Sequence, residues 1–476
     1  MYFTSLQFLW LFPLIFLGYH ALRVLLRRHQ EADRRVANCV LVLLSYGLYM
    51  QWQPLFAWVL LGVTLVTYGF ALVVEQQAAT PKRRWLVALG VLTSLLPLLV
   101  FKYAGFLTLN AQALLRQLGL AVEMHGLNWA IPLGLSFFTF QALGYLVDVC
   151  RGRIKAERDL LDYMLFISFF PQLVCGPISK ASDLLPQIKS QRAFSYQQAV
   201  QGCRALLCGM FLKVVLADNL GLHVDSVYAT YAEQSGMSCL LAACCYSFQI
   251  YTDFAGYSLM AVGVGKLMGF DLVNNFARPY LAVSITDFWR RWHISLSMWL
   301  RDNVYIPMGG SRCSKGRTYW NILVTFLVSG LWHGANWTFV VWGLLHGVAQ
   351  IVEKALGLQS CGHKAWWVRV GRVCLTFSLV TVAWVFFRMP TLADACRFVT
   401  HLFTSTAQGL SYPGKTVLAL VLLMVLVEVK REYLPQVHTG RLANSRAVRW
   451  TCYLLMLLLM LLYGVYDQGD FIYANF

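Results

Sequence analysis

Ser329-Gly330-Leu331-Trp332-His333-Gly334-Ala335-Asn336-Trp337 stands inside a stretch that is largely apolar from 319 to 348. That is long enough to cross a bilayer as a helix, which takes about 20 apolar residues. An imidazole in hydrocarbon is costly, so a histidine at this depth marks a functional-site candidate facing a cavity or another helix. Reading 319–348 as membrane rather than soluble core decides the fold class, and the rest of the chain agrees with it.

Of 476 residues, 58% are hydrophobic and 13% charged, and the mean hydropathy is +0.57. A soluble chain of this length carries charge at about a quarter of its positions. The sequence therefore predicts an all-α polytopic membrane protein of about 10–12 transmembrane helices. No Pro/Ser-rich or charged linker divides it, so one membrane domain is expected over 1–476, with its motif core at 131–350.

The net charge of +17 does not indicate nucleic acid, because of where the basic residues lie. They gather in short loops: Arg23, Arg27, Arg28, Arg34 and Arg35, then Lys82, Arg83 and Arg84, then Arg151, Arg153, Lys155 and Arg158. Short Lys/Arg-rich loops mark the cytoplasmic side of a membrane protein. The thirteen cysteines contain no C-x-x-C pair, and Cys239, Cys244 and Cys245 lack flanking His or carboxylate ligands. They read as small core residues, with neither a metal site nor a disulfide framework expected.

The apolar run at 6–25 has no basic residue before it and no small-residue cleavage site after it. It reads as a first membrane helix rather than a cleaved signal, with the N-terminus outside. Spans at 36–52, 55–75 and 85–101 then alternate so that all three basic loops fall inside. Segments 131–148 and 160–178 contain Pro132, Gly134, Pro171, Gly176 and Pro177, which interrupt helices. Backbone broken at membrane depth needs protein or a water-filled cavity around it, so re-entrant or broken helices are expected there. Further apolar segments lie near 198–217, 237–270, 319–350, 366–388, 414–429 and 449–466.

A second feature is Asp287-Phe288-Trp289-Arg290-Arg291-Trp292-His293-Ile294-Ser295-Leu296-Ser297-Met298-Trp299-Leu300-Arg301-Asp302. At about 100° per residue, Phe288, Trp292, Ser295 and Trp299 share one face. Arg290, Ser297 and Arg301 share the other, with His293 at its edge. The pattern is an amphipathic helix lying in the cytoplasmic interface. One reading is a membrane anchor; the other is a site whose Arg290, Arg291 and Arg301 take the phosphates of a nucleotide-bearing thioester. Composition leaves both open.

If the loop at 301–318 is cytoplasmic, His333 lies about 14 residues into its span, or about 21 Å. One helix through 319–350 would put His333 and Asn336 on one face and His346 elsewhere. Gly330 and Gly334 clear space around the imidazole. A neutral histidine takes a proton from an attacking hydroxyl as general base. Asn336 would orient the ring or donate to an oxyanion. The competing reading is a structural histidine bonded across helices. Asp253, in Gln249-Ile250-Tyr251-Thr252-Asp253-Phe254, is likewise either an ion-pair partner or a substrate contact. Gly263-Val264-Gly265-Lys266-Leu267-Met268-Gly269 has the wrong spacing for a dinucleotide loop and reads as helix packing.

Three blocks together resemble bacterial membrane-bound O-acyltransferases, specifically the alginate O-acetyltransferase branch. They are Phe288-Trp289-Arg290-Arg291-Trp292-His293-Ile294-Ser295-Leu296-Ser297, Tyr305-Ile306-Pro307-Met308-Gly309-Gly310 and Gly330-Leu331-Trp332-His333-Gly334-Ala335-Asn336-Trp337. Pro132-Leu133-Gly134-Leu135-Ser136-Phe137, Tyr145-Leu146-Val147-Asp148, Phe170-Pro171-Gln172-Leu173, Gly176-Pro177, Trp384-Val385-Phe386-Phe387-Arg388 and Asp470-Phe471-Ile472-Tyr473 extend the likeness. The chain departs from the family where Asp253-Phe254-Ala255-Gly256-Tyr257-Ser258-Leu259 lacks a second carboxylate and one hydroxyl.

The resemblance implies an acyl group carried from a cytosolic thioester, acetyl-CoA as donor, to an exported polysaccharide such as alginate. It implies His333 as catalytic residue and His293 as a second functional position. Beside these, the reading of the residues themselves sets Asn336, Trp332, Arg290, Arg291, Arg301 and Asp253 as the candidate substrate-binding set. It further implies the cell inner membrane as location and a secreted or membrane-anchored acyltransferase as partner. Transfer of D-alanine from a carrier protein to teichoic acid is the alternative within the family. A transporter or flippase is the alternative outside it; such proteins often have paired halves, and no internal repeat is visible.

Overall fold

A computed structural model describes every residue except 1–2, 27–29, 52–53, 78–80, 121–128, 361, 363–364, 435–444, 467–470 and 473–476. Arg27, Arg28, Asp470 and Tyr473 lie outside the described residues. Those described form helices and connecting segments, with no strand among them. Among the described residues, six helices are long and apolar enough to cross a membrane. The protein is an all-α, multi-pass membrane protein. The chain groups into two compact units, residues 1–204 with 261–273, and residues 205–260 with 274–476.

The first unit begins with α1 (Leu6–Leu26), α2 (Gln30–Met50) and α3 (Phe56–Gln76). Next come α4 (Pro81–Leu98), a π turn (Leu99–Tyr103) and α5 (Ala104–Gln117), one continuous rod that runs past the 101 expected for it. The π turn carries a buried lysine, Lys102, which donates to Ser136 Oγ at 3.2 Å. The expected breaks are present between α6 (Leu135–Cys150), α7 (Leu160–Ser168), α8 (Phe170–Leu173) and α9 (Ala181–Lys189). Gly134 takes φ +73, and a Cβ there would strike the Leu173 carbonyl. Buried Asp162 accepts from Arg34 at 2.8 Å and from Asn38 at 2.8 Å, tying α2 to α7.

Helices α10 (Tyr196–Phe211) and α12 (Gly236–Leu267) each cross the division between the units. Their own packing uses glycine pairs, since Cβ atoms on Gly202 or Gly209 would meet the backbone of Gly263 or Gly256. Small residues let membrane helices approach closely where hydrophobicity gives no drive to associate. Gly263, read from sequence as a packing residue, lies at such an approach.

The second unit continues α10 through a π turn (Leu212–Ala217) into α11 (Asp218–Ala229). After α12 come α13 (Ile285–Arg291), α14 (Ile294–Leu300) and a third π turn (Arg301–Tyr305). Then follow α15 (Lys315–His333), α16 (Trp337–Ala355), α17 (Trp366–Arg388), α18 (Leu392–Thr404), α19 (Lys415–Tyr433) and α20 (Arg446–Tyr463). Leu454, Leu455, Leu458, Leu461 and Leu462 of α20 are exposed, a face suited to hydrocarbon.

Two sequence expectations need correction here. Residues 319–350 do not form one span: the helix stops at His333 and a new one starts at Trp337, with α15 and α16 folded against each other. Gly334 is extended at φ −164, and Asn336 caps the second helix by accepting from the Thr338 N–H at 3.1 Å. Nor is 287–302 one helix. His293 adopts φ +44, a left-handed conformation rare outside glycine, and divides α13 from α14.

Candidate active site

α13 is set in place at its first turn. Ser284 caps it by accepting from the Asp287 N–H at 3.0 Å. The Glu353 carboxylate, from the end of α16, accepts from the Ile285 and Thr286 N–H groups at 2.5 and 3.1 Å. A negative charge at a helix N-terminus also suits the helix dipole. This clamp fixes α13 against α16 and so fixes Trp289 against His346.

The left-handed turn at His293 is held from outside the helix. Ala277 N–H donates to the Arg291 carbonyl and Ile294 N–H to the Asn275 carbonyl, both at 3.0 Å. The Asn275 side-chain oxygen accepts from the Ser295 N–H at 3.2 Å. A strained backbone of this kind persists only where its surroundings over-determine it. His293 is fully buried, and burial pushes its pKa down to about 3, so the ring is neutral at physiological pH.

The hairpin brings three histidines into one aromatic cluster. The His333 ring lies 4.9 Å from Trp332, 4.9 Å from Trp342 and 5.3 Å from Phe387, centre to centre. His293 lies 6.0 Å from Trp332 on its other side, and 4.7 Å from Phe254. His346 lies 4.9 Å from Trp342 and accepts a hydrogen bond at Nδ1 from the Trp289 indole N–H, 3.3 Å long. That bond places the His346 proton on Nε2. Trp332 thus bridges His293 to His333, and Trp342 bridges His333 to His346.

The expectation that His346 faces away from His333 holds only for one straight helix and fails because the chain turns back at 334–336. The same turn removes the shared face of His333 and Asn336. The Asn336 amide is instead engaged with backbone, capping α16 with its oxygen and donating to the Pro390 carbonyl at 2.8 Å. The sequence reading gives Trp289 and Trp342 no part in the site and sets His346 on another face. A signal was present in the interval of four between Trp342 and His346, one helical turn on one face.

A cavity of about 620 Å³ opens beside this cluster. Arg290, Ser297 and Arg301, the polar face read from periodicity, all line it despite the break at His293, and Lys354 joins them. Its inner wall includes Trp289, Phe326 and Ser329. Trp289 and Phe326 pack on the His346 ring at 5.2 and 6.1 Å, and Ser329 sits one turn before His333. Arg291 does not line the cavity; it pairs with Asp287 and Glu432, each at 2.9 Å. Asp253 is also engaged elsewhere, at 2.7 Å from Lys213 Nζ and accepting from the Ile472 N–H at 3.0 Å.

Known proteins match this arrangement along most of the chain. The sequence model of the membrane-bound O-acyltransferase family matches residues 2–360. A protein of Pseudomonas syringae named probable alginate O-acetylase is 39% identical over 408 residues, 85% of this chain and 75% of that one. The peptidoglycan O-acetyltransferase of Helicobacter pylori is 34% identical over 430 residues, 85% of this chain and 80% of that one. The teichoic acid D-alanyltransferase of Streptococcus thermophilus is 29% identical over 282 residues, 54% of this chain and 68% of that one. With family likeness running through both histidine-bearing blocks, this chain belongs to the membrane-bound O-acyltransferase family and is an O-acyltransferase.

Proposed function

We propose that the protein transfers an acetyl group from acetyl-CoA on the cytoplasmic side towards an exported polysaccharide such as alginate. The observation that carries the reading is the 620 Å³ cavity, basic at Arg290, Arg301 and Lys354, whose inner wall packs on the histidine cluster. Guanidinium forks suit phosphate oxygens, so the basic margin takes the nucleotide and the thioester reaches inward past Trp289.

His333 then acts as general base. It accepts the proton of the acceptor hydroxyl as that oxygen attacks the thioester carbonyl. The tetrahedral adduct collapses, the carbon–sulfur bond breaks, and the departing thiolate takes the proton back from the imidazolium. His293 and Trp332 hold the ring's other side. Arg291, Asn336 and Asp253, assigned to substrate from sequence, serve as supports for the backbone and helices around the site.

The positive-inside pattern supports basic loops in the cytoplasm and an N-terminus outside, and the reading puts the protein in the inner membrane. A secreted or membrane-anchored acyltransferase completes transfer to the polymer. The test is the acetyl content of the exported polysaccharide in cells carrying His333→Ala, with protein level checked. Loss of acetyl groups at unchanged polymer output supports the reading. Unchanged acetylation at normal expression overturns it, and a drop in polymer with normal acetylation per sugar points to transport. A D-alanyl ester in place of acetate would move the donor to a carrier protein.

A further inference from the structure

A second cavity, of about 340 Å³, lies among α10, α12, the segment 274–278, α19 and α20. Three polar side chains in its lining are almost wholly buried: Thr252, Asn275 and Ser258, at 0%, 1% and 2% exposed. Thr252 Oγ1 donates to the Phe248 carbonyl at 2.7 Å. The Asn275 oxygen accepts from the Ser295 N–H, but its Nδ2 and the Ser258 Oγ have no partner among the described residues. Buried donors are almost always paired in folded proteins. Two of them in one cavity wall ask for an acceptor supplied from outside the chain.

The rest of the lining specifies what kind of molecule brings it. Leu259, Met424 and Met456 make part of the wall apolar, while Arg278, Glu428 and Arg431 are charged. Glu428 accepts from the Tyr251 hydroxyl at 2.5 Å, and Arg278 Nε pairs with Glu432 at 2.6 Å. Exposed Arg431 makes no salt bridge among the described residues. α19 and α20, which close the cavity, present Leu422, Leu423, Leu426, Leu454 and Leu458 outward, faces fit for acyl chains. The volume is at the small end for ligand cavities, enough for a headgroup and glycerol but not the chains.

We propose that this cavity binds the glycerophosphate part of an anionic phospholipid. The phosphate pairs with Arg431 and the remaining nitrogens of Arg278, an ester carbonyl accepts from Asn275 Nδ2, and the chains lie along α19 and α20. Asn275 gives the site its reach. It holds the N–H groups of Ile294 and Ser295, the two residues after left-handed His293. A bound lipid therefore braces the turn that sets His293.

Native mass spectrometry of the delipidated full-length protein in detergent tests this. Dioleoylphosphatidylglycerol is titrated in one arm, and glycerol 3-phosphate and coenzyme A compete in two others. Retention of the lipid against both competitors is expected, with affinity about tenfold weaker in Arg431→Gln, the loss of one charge-assisted contact. Ser258→Leu, which fills the cavity, should abolish binding; Arg431→Gln, altered only at an exposed side chain, remains informative if Ser258→Leu fails to fold. Equal lipid affinity in wild type and Arg431→Gln overturns the proposal. Displacement by coenzyme A or glycerol 3-phosphate also overturns it, because the site would then serve soluble phosphates.

Discussion

Gly330 of α15 and Gly343 of α16 stand face to face, with the Gly343 Cα 3.4 Å from where a Cβ on Gly330 would lie. Added methyls would also run into the carbonyls of Phe339 and Phe326, which are backbone and cannot swing aside. Gly330→Ala or Gly343→Ala should therefore push the hairpin apart and cost about 1–3 kcal/mol. Thermal unfolding of the detergent-purified protein should show the loss. Transfer activity should fall further than stability, because the hairpin sets the spacing of His333 and His346. A variant with unchanged melting temperature and full activity would refute the close contact.

The arginines divide by what they touch. Arg290→Gln and Arg301→Gln should raise the KM for a coenzyme A thioester about tenfold each, with kcat little changed, since they line the cavity without reaching the histidines. Arg291→Gln should leave that KM alone and lower the melting temperature, because it strips a partner from Asp287 and Glu432. Steady-state kinetics on the three purified variants separates the two roles.

Glu432 supplies a pH dependence. Burial would raise its pKa, but hydrogen bonds from Arg278 and Arg291 outweigh that and hold it below its ordinary value of 4.5. A carboxylate lowered in the folded state adds stability above that ordinary value and loses it as pH falls through the folded one. The melting temperature should drop on acidification below about pH 4.5, where unfolded glutamate takes up its proton. Glu432→Gln should melt lower at pH 7 and show a shallower acid decline.

Lys213 meets both Asp253 and Asp218 at 2.7 Å inside the second unit. Removing one member of a buried ion pair strands its partner's charge and costs about 3–5 kcal/mol. Asp253→Asn alone still leaves Lys213 its bond to Asp218 and should cost less than Lys213→Met, which strands two carboxylates. The order of melting temperatures checks this, and a more stable Lys213→Met would sink it.

Most of the architecture was legible because long apolar runs have few alternatives in a membrane. α1, α3 and α17 fall within a residue or two of the runs that announced them. The polar face of Arg290, Ser297 and Arg301 was legible for a similar reason, since a 100° step survives one local break. What sequence hid were events of one or two residues. Left-handed His293 needs neighbours such as Asn275 to hold it, and those neighbours lie outside the helix being read. The break at 334–336 was written in Gly334 and the Asn336 cap, but both also suited a functional motif inside a single helix. Once that break was missed, His346 was placed on the wrong side. Partners such as Glu353 and Glu432 are more than fifty residues from the groups they hold, beyond the reach of any local pattern.

The three π turns among the described residues share one property: each holds a buried charge, Lys102, Lys213 or Asp302. A π turn is an α-helix with one residue more than its winding calls for. That surplus residue is taken up as a wider turn, so the helix beyond it keeps the angular register it would have without it. Lys213 and Asp218, five residues apart, meet at 2.7 Å across that wide turn. Excising one residue between Leu212 and Ala217 would narrow the turn to ordinary α-helix, leave the pair four apart and still on one face, and leave α11 facing as before. The same deletion in an unbroken α-helix would swing everything downstream about 100°, so a π turn is where such a rod absorbs a change of length.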